Sequence, residues 1–185
     1  MPHPNILDPK HSALIVIDIQ EGFRNAIPEF GLIASRAATV VRGFQILGLP
    51  ILVTEQYPKG LGHTADEITS VLTEADELFE KSAFSSCGAA AFVKKLNDLG
   101  IKQVVICGLE THVCVNQTAH DLMTRGFQVH ILTDCVCSRF EYNKEAGLAK
   151  VLASGAISSS IEMALFELMS DSKHEKFKEI QSLIK

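Results

Sequence analysis

Ala13-Leu14-Ile15-Val16-Ile17-Asp18-Ile19 is a short apolar run rich in β-branched residues and interrupted by a single acid. Such a run reads as a strand buried on both faces, the kind found in parallel sheets covered by helices. Asp18 then falls near the carboxyl end of that strand. Downstream, Ile33, Ala37, Val40, Val41, Phe44 and Leu47 recur at helical spacing and stop at Gly48. Pro50 admits a second strand over 51–54. Residues 55–64 hold Pro58, Gly60 and Gly62, too many breakers for a regular element, which predicts a loop with an exposed tip.

After a mixed segment to Phe79 the pattern predicts a helix over 88–99, a strand over 103–107 and a helix over 113–125. A strand over 127–133, a helix over 141–152, a short strand over 156–158 and two further helical segments complete the chain. Alternation of buried strands with helices implies an α/β fold. The expected form is a three-layer α/β/α, Rossmann-like parallel sheet with helices on both faces and right-handed crossovers. A chain of 185 residues suits one domain over 1–185, and no repeat or linker divides it.

Composition narrows the function. Hydrophobic residues make up 46% and charged residues 21%, an ordinary globular balance. Seventeen Lys and Arg against 22 Asp and Glu leave a net charge of −5, so no nucleic-acid partner is expected. No apolar run approaches the roughly 20 residues that cross a bilayer, so no membrane partner is expected. The first residues show no basic region followed by an apolar stretch, which points to a cytoplasmic setting. The cysteines at 87, 107, 114, 135 and 137 are odd in number and several lie in apolar segments, which predicts free thiols.

Open α/β sheets bind ligands beyond the carboxyl ends of their strands. The first places to look are therefore 18–23, 55–57, 108–114 and 134–138. Walker A, dinucleotide-glycine, G-x-S-x-G and H-E-x-x-H patterns are all missing from the sequence. Gly108-Leu109-Glu110-Thr111-His112-Val113-Cys114 lies between a strand and a helix, which puts Cys114 in the helix's first turn. Amides and dipole there favour a thiolate, so a lowered thiol pKa is expected. Asp18 brings a carboxylate to the same edge, and Lys81 a cation. Nucleophile, proton acceptor and tuning charge make an activated nucleophile. Singly, each has an ordinary reading as well: a packed cysteine, a solvated loop cap, a surface lysine.

Together these segments resemble the isochorismatase-like cysteine hydrolases, a superfamily that includes nicotinamidases and N-carbamoylsarcosine amidohydrolases. The carriers are 14–23 (LIVIDIQEGF), 80–85 (EKSAFS) and 108–115 (GLETHVCV) with Thr118-Ala119. The resemblance implies a catalytic triad of Asp18, Lys81 and Cys114, and an oxyanion hole from the N–H groups of Glu110 and Cys114. It also implies a cis peptide at Leu109-Glu110. Segments 54–62 and 177–181 are similar to the isochorismatase domain-containing proteins in particular. In metal-containing nicotinamidases the loop after the second strand supplies an aspartate and histidines; the matching positions here are Gln56 and Pro58. His63 alone does not make a ligand set, so no metal and no cofactor is expected.

True isochorismatases, which cleave a vinyl ether, lack the cysteine. The implied activity is thus hydrolysis of a small carboxamide or ureido substrate through a thioester. Cleavage of an isochorismate-like ether and a catalytically quiet binding or scaffold protein are the alternatives, because a fold does not fix a function; thiol redox sensing ranks below both. Gln20, Phe23 and Tyr57, each just beyond a strand, are the substrate-contact candidates. Cys107, Cys135 and Cys137 read as structural, and neither His112 nor His120 reads as a general base. Members of the superfamily commonly assemble, so a homo-oligomer is expected.

Overall fold

The computed structural model describes residues 3–185. Six strands, β1 (Ser12–Ile17), β2 (Ile51–Gln56), β3 (Glu77–Lys81), β4 (Gln103–Leu109), β5 (Gln128–Cys137) and β6 (Ile157–Ser159), form one sheet in the order β3-β2-β1-β4-β5-β6. Every neighbouring pair is parallel. Long helices α1 (Phe30–Ile46), α4 (Ala90–Asp98), α5 (Asn116–Thr124), α6 (Glu141–Ala153) and α7 (Ile161–Met169) cover it, with one-turn helices α2 (Pro58–Leu61) and α3 (Asp66–Thr69) and a terminal α8 (Phe177–Leu183). This is the expected α/β/α architecture with the doubly wound order, whose direction reverses between β1 and β4.

The alternation of side chains along a strand splits the core in two. Leu14 and Val16 pack with Ile33, Ala37, Val40, Val41 and Phe44 of α1 and with Leu165 and Leu168 of α7. Ala13, Ile15 and Ile17 point the other way, onto Phe92 and Leu96 of α4, Ala119 and Leu122 of α5 and Val151 of α6. A strand buried on both faces has no polar face to show, which is why β1 and β4 read as unbroken apolar runs. Among the described residues, no helix is long and apolar enough to cross a membrane. All five cysteines are buried and unpaired.

Three boundaries differ from expectation. β3 went unread within the mixed segment, although it is the strand that carries Lys81. The 55–64 stretch is not irregular throughout: β2 runs on to Gln56, and Pro58 at the start of α2 opens one helical turn. β5 continues through Asp134–Cys137 instead of stopping at Thr133. A register shift between Ile106 and Gly108 absorbs the extra residues, so that Gly108 faces Val136 and Leu109 faces Cys137.

One buried group gives the fold an acid limit. His130 on β5 is 1% exposed, and burial holds its imidazole down from 6.5 to about 4. The unfolded chain takes up this proton near pH 6.5 and the native state refuses it until about pH 4. Stability therefore falls as pH drops through that window, by up to about 3 kcal/mol from this group. Urea midpoints at the two ends of the window should converge more closely in His130→Gln than in the wild type.

Candidate active site

Asp18 follows β1 immediately and takes a left-handed backbone, φ 51°. Asp tolerates that region better than most residues, and such strain gathers at functional sites. Two bonds to the neighbouring strand hold it: its N–H donates to Thr54 O (3.1 Å), and the Thr54 hydroxyl donates to Asp18 Oδ1 (2.7 Å). The other carboxylate oxygen receives Lys81 Nζ at 2.6 Å. Lys81 ends β3, two strands away, and its side chain crosses the end of β2 to get there. The same ammonium donates to Gln56 Oε1 (2.8 Å) and Phe84 O (2.9 Å). Both charged side chains are 1% exposed. Lys81 is therefore no surface lysine but half of an enclosed ion pair.

Cys114 arrives from the other side of the switch point. Glu110 leaves β4 in an extended conformation (φ −82°, ψ 142°), and Thr111–Val115 then form a π-helical turn closed by Val115 N–H donating to Glu110 O (3.3 Å). π-turns are rare and frequent at functional sites. α6 lies directly on this turn because residue 147 is glycine: a β-carbon there would sit 2.9 Å from the backbone N and Cα of His112. Asn116 Nδ2 donates to Gly147 O (3.0 Å) and fastens the contact. Arg139, just past β5, donates from its backbone N–H (3.1 Å) and Nε (3.0 Å) to Glu110 Oε1, closing the rim.

Two expectations fail at this turn. The Cys114 thiol is pushed up to about 12, not down: burial is the main cause, the Asp18 carboxylate adds to it and the Lys81 ammonium offsets part. Cys114 lies in the π-turn, before α5 begins at Asn116, and desolvation outweighs any help from amide dipoles. The resting thiol is thus protonated, with a carboxylate beside it. The anticipated cis peptide at Leu109-Glu110 is not there either. Every peptide bond among the described residues is trans, and extended Glu110 feeds straight into the turn.

The three substrate-contact candidates have different surroundings. Gln20 is wholly buried; its amide donates to Gln56 O (3.1 Å) and Gly62 O (2.6 Å) and accepts from Gln56 N–H (2.7 Å). It ties the 57–64 loop to the end of β1 as an internal strut. Phe23 is half-buried against the α1 side of the core. Tyr57 is 60% exposed and held at φ 39°, its ring laid across Gly60. With Pro58, Lys59, Glu80, Lys81 and Ser82 it lines an open cleft of about 330 Å³. Of these candidates only Tyr57 borders a cleft that reaches Lys81.

The residues where a nicotinamidase-like metal would sit do not suit one. Gln56 Oε1 accepts from Lys81 and its nitrogen donates to Ser82 O (2.7 Å), Pro58 has no donor atom, and exposed His63 pairs with Asp66 (3.0 Å). His112 Nδ1 meets Ser138 Oγ at 3.0 Å, and His120 bridges Asn116 O (2.7 Å) and Ser154 Oγ (3.0 Å). The sequence reading passed over Thr54, the partner that fixes Asp18. Its signal was present: the hydroxyl closes the apolar run Ile51–Val53 in direct register with Ile17, as Asp18 closes β1.

Comparison with known proteins agrees with this architecture. The family model of the isochorismatase domain matches residues 12–163, a span that includes Asp18, Lys81, Cys114 and all six strands. Isochorismatase domain-containing protein 1 of Danio rerio is 42% identical over 179 residues, 97% of this chain; the chain spans only 62% of that relative's length. The structure of MAR1 ribonuclease from Caenorhabditis elegans matches with a TM-score of 0.92 and 38% identity, covering 97% of this chain and 92% of that one. The zinc complex of Pyrococcus horikoshii pyrazinamidase matches with a TM-score of 0.71 and 26% identity, covering 81% of this chain and 99% of that one. By sequence and by fold, the chain belongs to the isochorismatase family.

Proposed function

We propose that this protein hydrolyses a C–N bond of a small carboxamide or ureido substrate, with Cys114 as nucleophile, Asp18 as proton acceptor and donor, and Lys81 as the charge that steadies both. The observation that carries the reading is the enclosed Asp18–Lys81 pair at 2.6 Å, both partners acting on the Cys114 thiol. A buried thiol that stays protonated at rest needs a base at the moment of attack, and Asp18 is that base. The pyrazinamidase relative acts on an amide, as its name states.

In the first half-reaction the thiol proton passes to Asp18 while sulfur bonds to the carbonyl carbon. The N–H groups of Glu110 and Cys114 receive the oxyanion; a lost donor of this kind costs about 3–4 kcal/mol of barrier in other hydrolases. The C–N bond then breaks, and Asp18 returns its proton to the leaving nitrogen. Water next gives a proton to Asp18 and its hydroxide to the thioester carbon. Rupture of the C–S bond frees the carboxylic product, and the sulfur recovers its proton from Asp18. Tyr57 forms the outer wall for the substrate. No step is routed through a metal, because the residues around Gln56 do not suit one.

Intact-mass analysis of quenched amide turnover tests this scheme. An acyl adduct should appear on Cys114 and be missing from Cys114→Ala; turnover by Cys114→Ala at the wild-type rate would overturn the scheme. Iodoacetamide labelling supplies the substrate-free control. Asp18 should sustain labelling at neutral pH, and Asp18→Asn should lose it and label only under alkaline conditions. A homopolymer RNA belongs in the same screen, since the C. elegans relative is named a ribonuclease. A net charge of −5 offers no cationic track for a phosphate backbone, so RNA should remain intact.

A further inference from the structure

Behind Asp18 runs a file of buried hydroxyls that the mechanism above does not use. Thr118 on α5 donates to Ser86 Oγ (3.2 Å), Ser86 donates to Thr54 Oγ1 (3.5 Å), and Thr54 donates to Asp18 Oδ1 (2.7 Å). Ser86 N–H also donates to Thr118 Oγ1 (2.8 Å), which pins the far end. All three hydroxyl residues have no exposed surface. A hydroxyl has one proton to give, so each assignment fixes the next. Every donor points toward the carboxylate, and hydrogen bonds aligned head to tail polarise one another.

We infer that Thr54, oriented by Ser86 and Thr118, is a positioning residue that fixes the Asp18 carboxylate in place and in register with the helix that follows Cys114. The inference rests on the hydrolase reading for its meaning but not for its test. A hydroxyl that donates to a carboxylate stabilises the charged form and loses most of that interaction once the acid is protonated. The file therefore sets how readily Asp18 accepts the thiol proton and how readily it gives it up. Its geometry carries a second consequence. α5 begins at Asn116, two residues after Cys114, and Thr118 on that helix is the first donor. Base and nucleophile are thus tied through protein on both sides of the site. Lys81 from β3 and Cys114 from the π-turn are the titratable groups that act with Asp18, and neither is altered by changing Thr54.

The experiment is the pH profile of iodoacetamide labelling at Cys114, located by peptide mass, in the wild type, Thr54→Val and Thr54→Ser. No substrate is needed. Loss of the hydroxyl should move the acid midpoint of labelling upward by about half a unit to one unit. Thr54→Ser returns the donor and should bring the midpoint back. Ser86→Ala leaves the Thr54 to Asp18 bond in place and should move the midpoint by a smaller amount in the same direction, which keeps the test available if Thr54→Val does not fold. Coincident midpoints in all the folded variants would overturn the inference. Failure of the wild type to turn over any amide would overturn the hydrolase reading instead, whatever the midpoints do.

Discussion

Lys81→Met should lower the stability of the fold by about 3–5 kcal/mol, the range found when one partner of an enclosed ion pair is removed. Asp18 is then left as a buried carboxylate with Thr54 and its own backbone N–H as its only remaining ties to the sheet. The amine also releases Gln56 Oε1 and Phe84 O, so the turn after β3 loosens as well. For a chain of this size the change amounts to a fall in Tm of roughly 10 °C or more. Urea unfolding monitored by circular dichroism reads it directly. Asp18→Asn with Lys81→Met should recover part of the loss, because no lone charge remains inside. Lys94→Ala, which breaks an exposed pair with Asp98, should cost under about 1 kcal/mol. A result for Lys81→Met as small as that for Lys94→Ala would contradict the enclosed pair.

Gly108→Ala should prevent accumulation of folded protein, a loss above about 4 kcal/mol. Residue 108 has φ +141°, a region that side chains rarely enter. An added β-carbon would also press on Ile17, 2.7 Å from its Cβ and closer still to its carbonyl oxygen. Ile17 is the register partner of Gly108 between the two central strands, so the clash has no flexible side chain to yield. The glycine stands where β4 leaves regular pairing with β5 and where the chain heads for Glu110 and the π-turn. Soluble yield and the near-ultraviolet circular dichroism of whatever is recovered provide the measurement. Recovery of native protein at wild-type yield would show that the central strands can separate locally, contrary to this account.

The sheet was readable wherever both faces are buried. Past their first residues, Ser12 and Gln103, β1 and β4 show no polar side chain because helices cover them on each side, and for that reason Asp18 could be placed at the end of β1 and Cys114 in the segment that follows β4. β3 inverts the usual code. Leu78, apolar, is 45% exposed, whereas Lys81, charged, points inward beside Phe79. Alternation of hydrophobicity therefore could not reveal it, and only the family resemblance distinguished Lys81 from a surface lysine. The end of β5 was cut short because Asp134 looked like a strand terminus, while the register shift opposite Gly108 lets the ladder resume beyond it. Thr54, Ser86 and Thr118 were invisible as a group. A threonine in a strand satisfies β propensity, and nothing local says that three hydroxyls from β2, the turn after β3 and α5 meet behind one carboxylate. Burial likewise reversed the expected thiol shift, since a chain position near a helix start does not report how much water is excluded.

β3 lies at the margin of the sheet, paired on one side only. Its far end is clamped by Lys81 to Asp18 and its near end by Glu77 to Lys95 of α4. A fluctuation that peels this margin away withdraws the ammonium from the centre in the same motion. Under the hydrolase reading, a frayed molecule is then a silent one. Its carboxylate has lost the counter-charge that steadies it, so partial opening yields no stray thiol catalyst. Amide exchange along β3 and loss of the proposed turnover should accordingly share one opening free energy, which would make that rate a gauge of the protein's weakest seam.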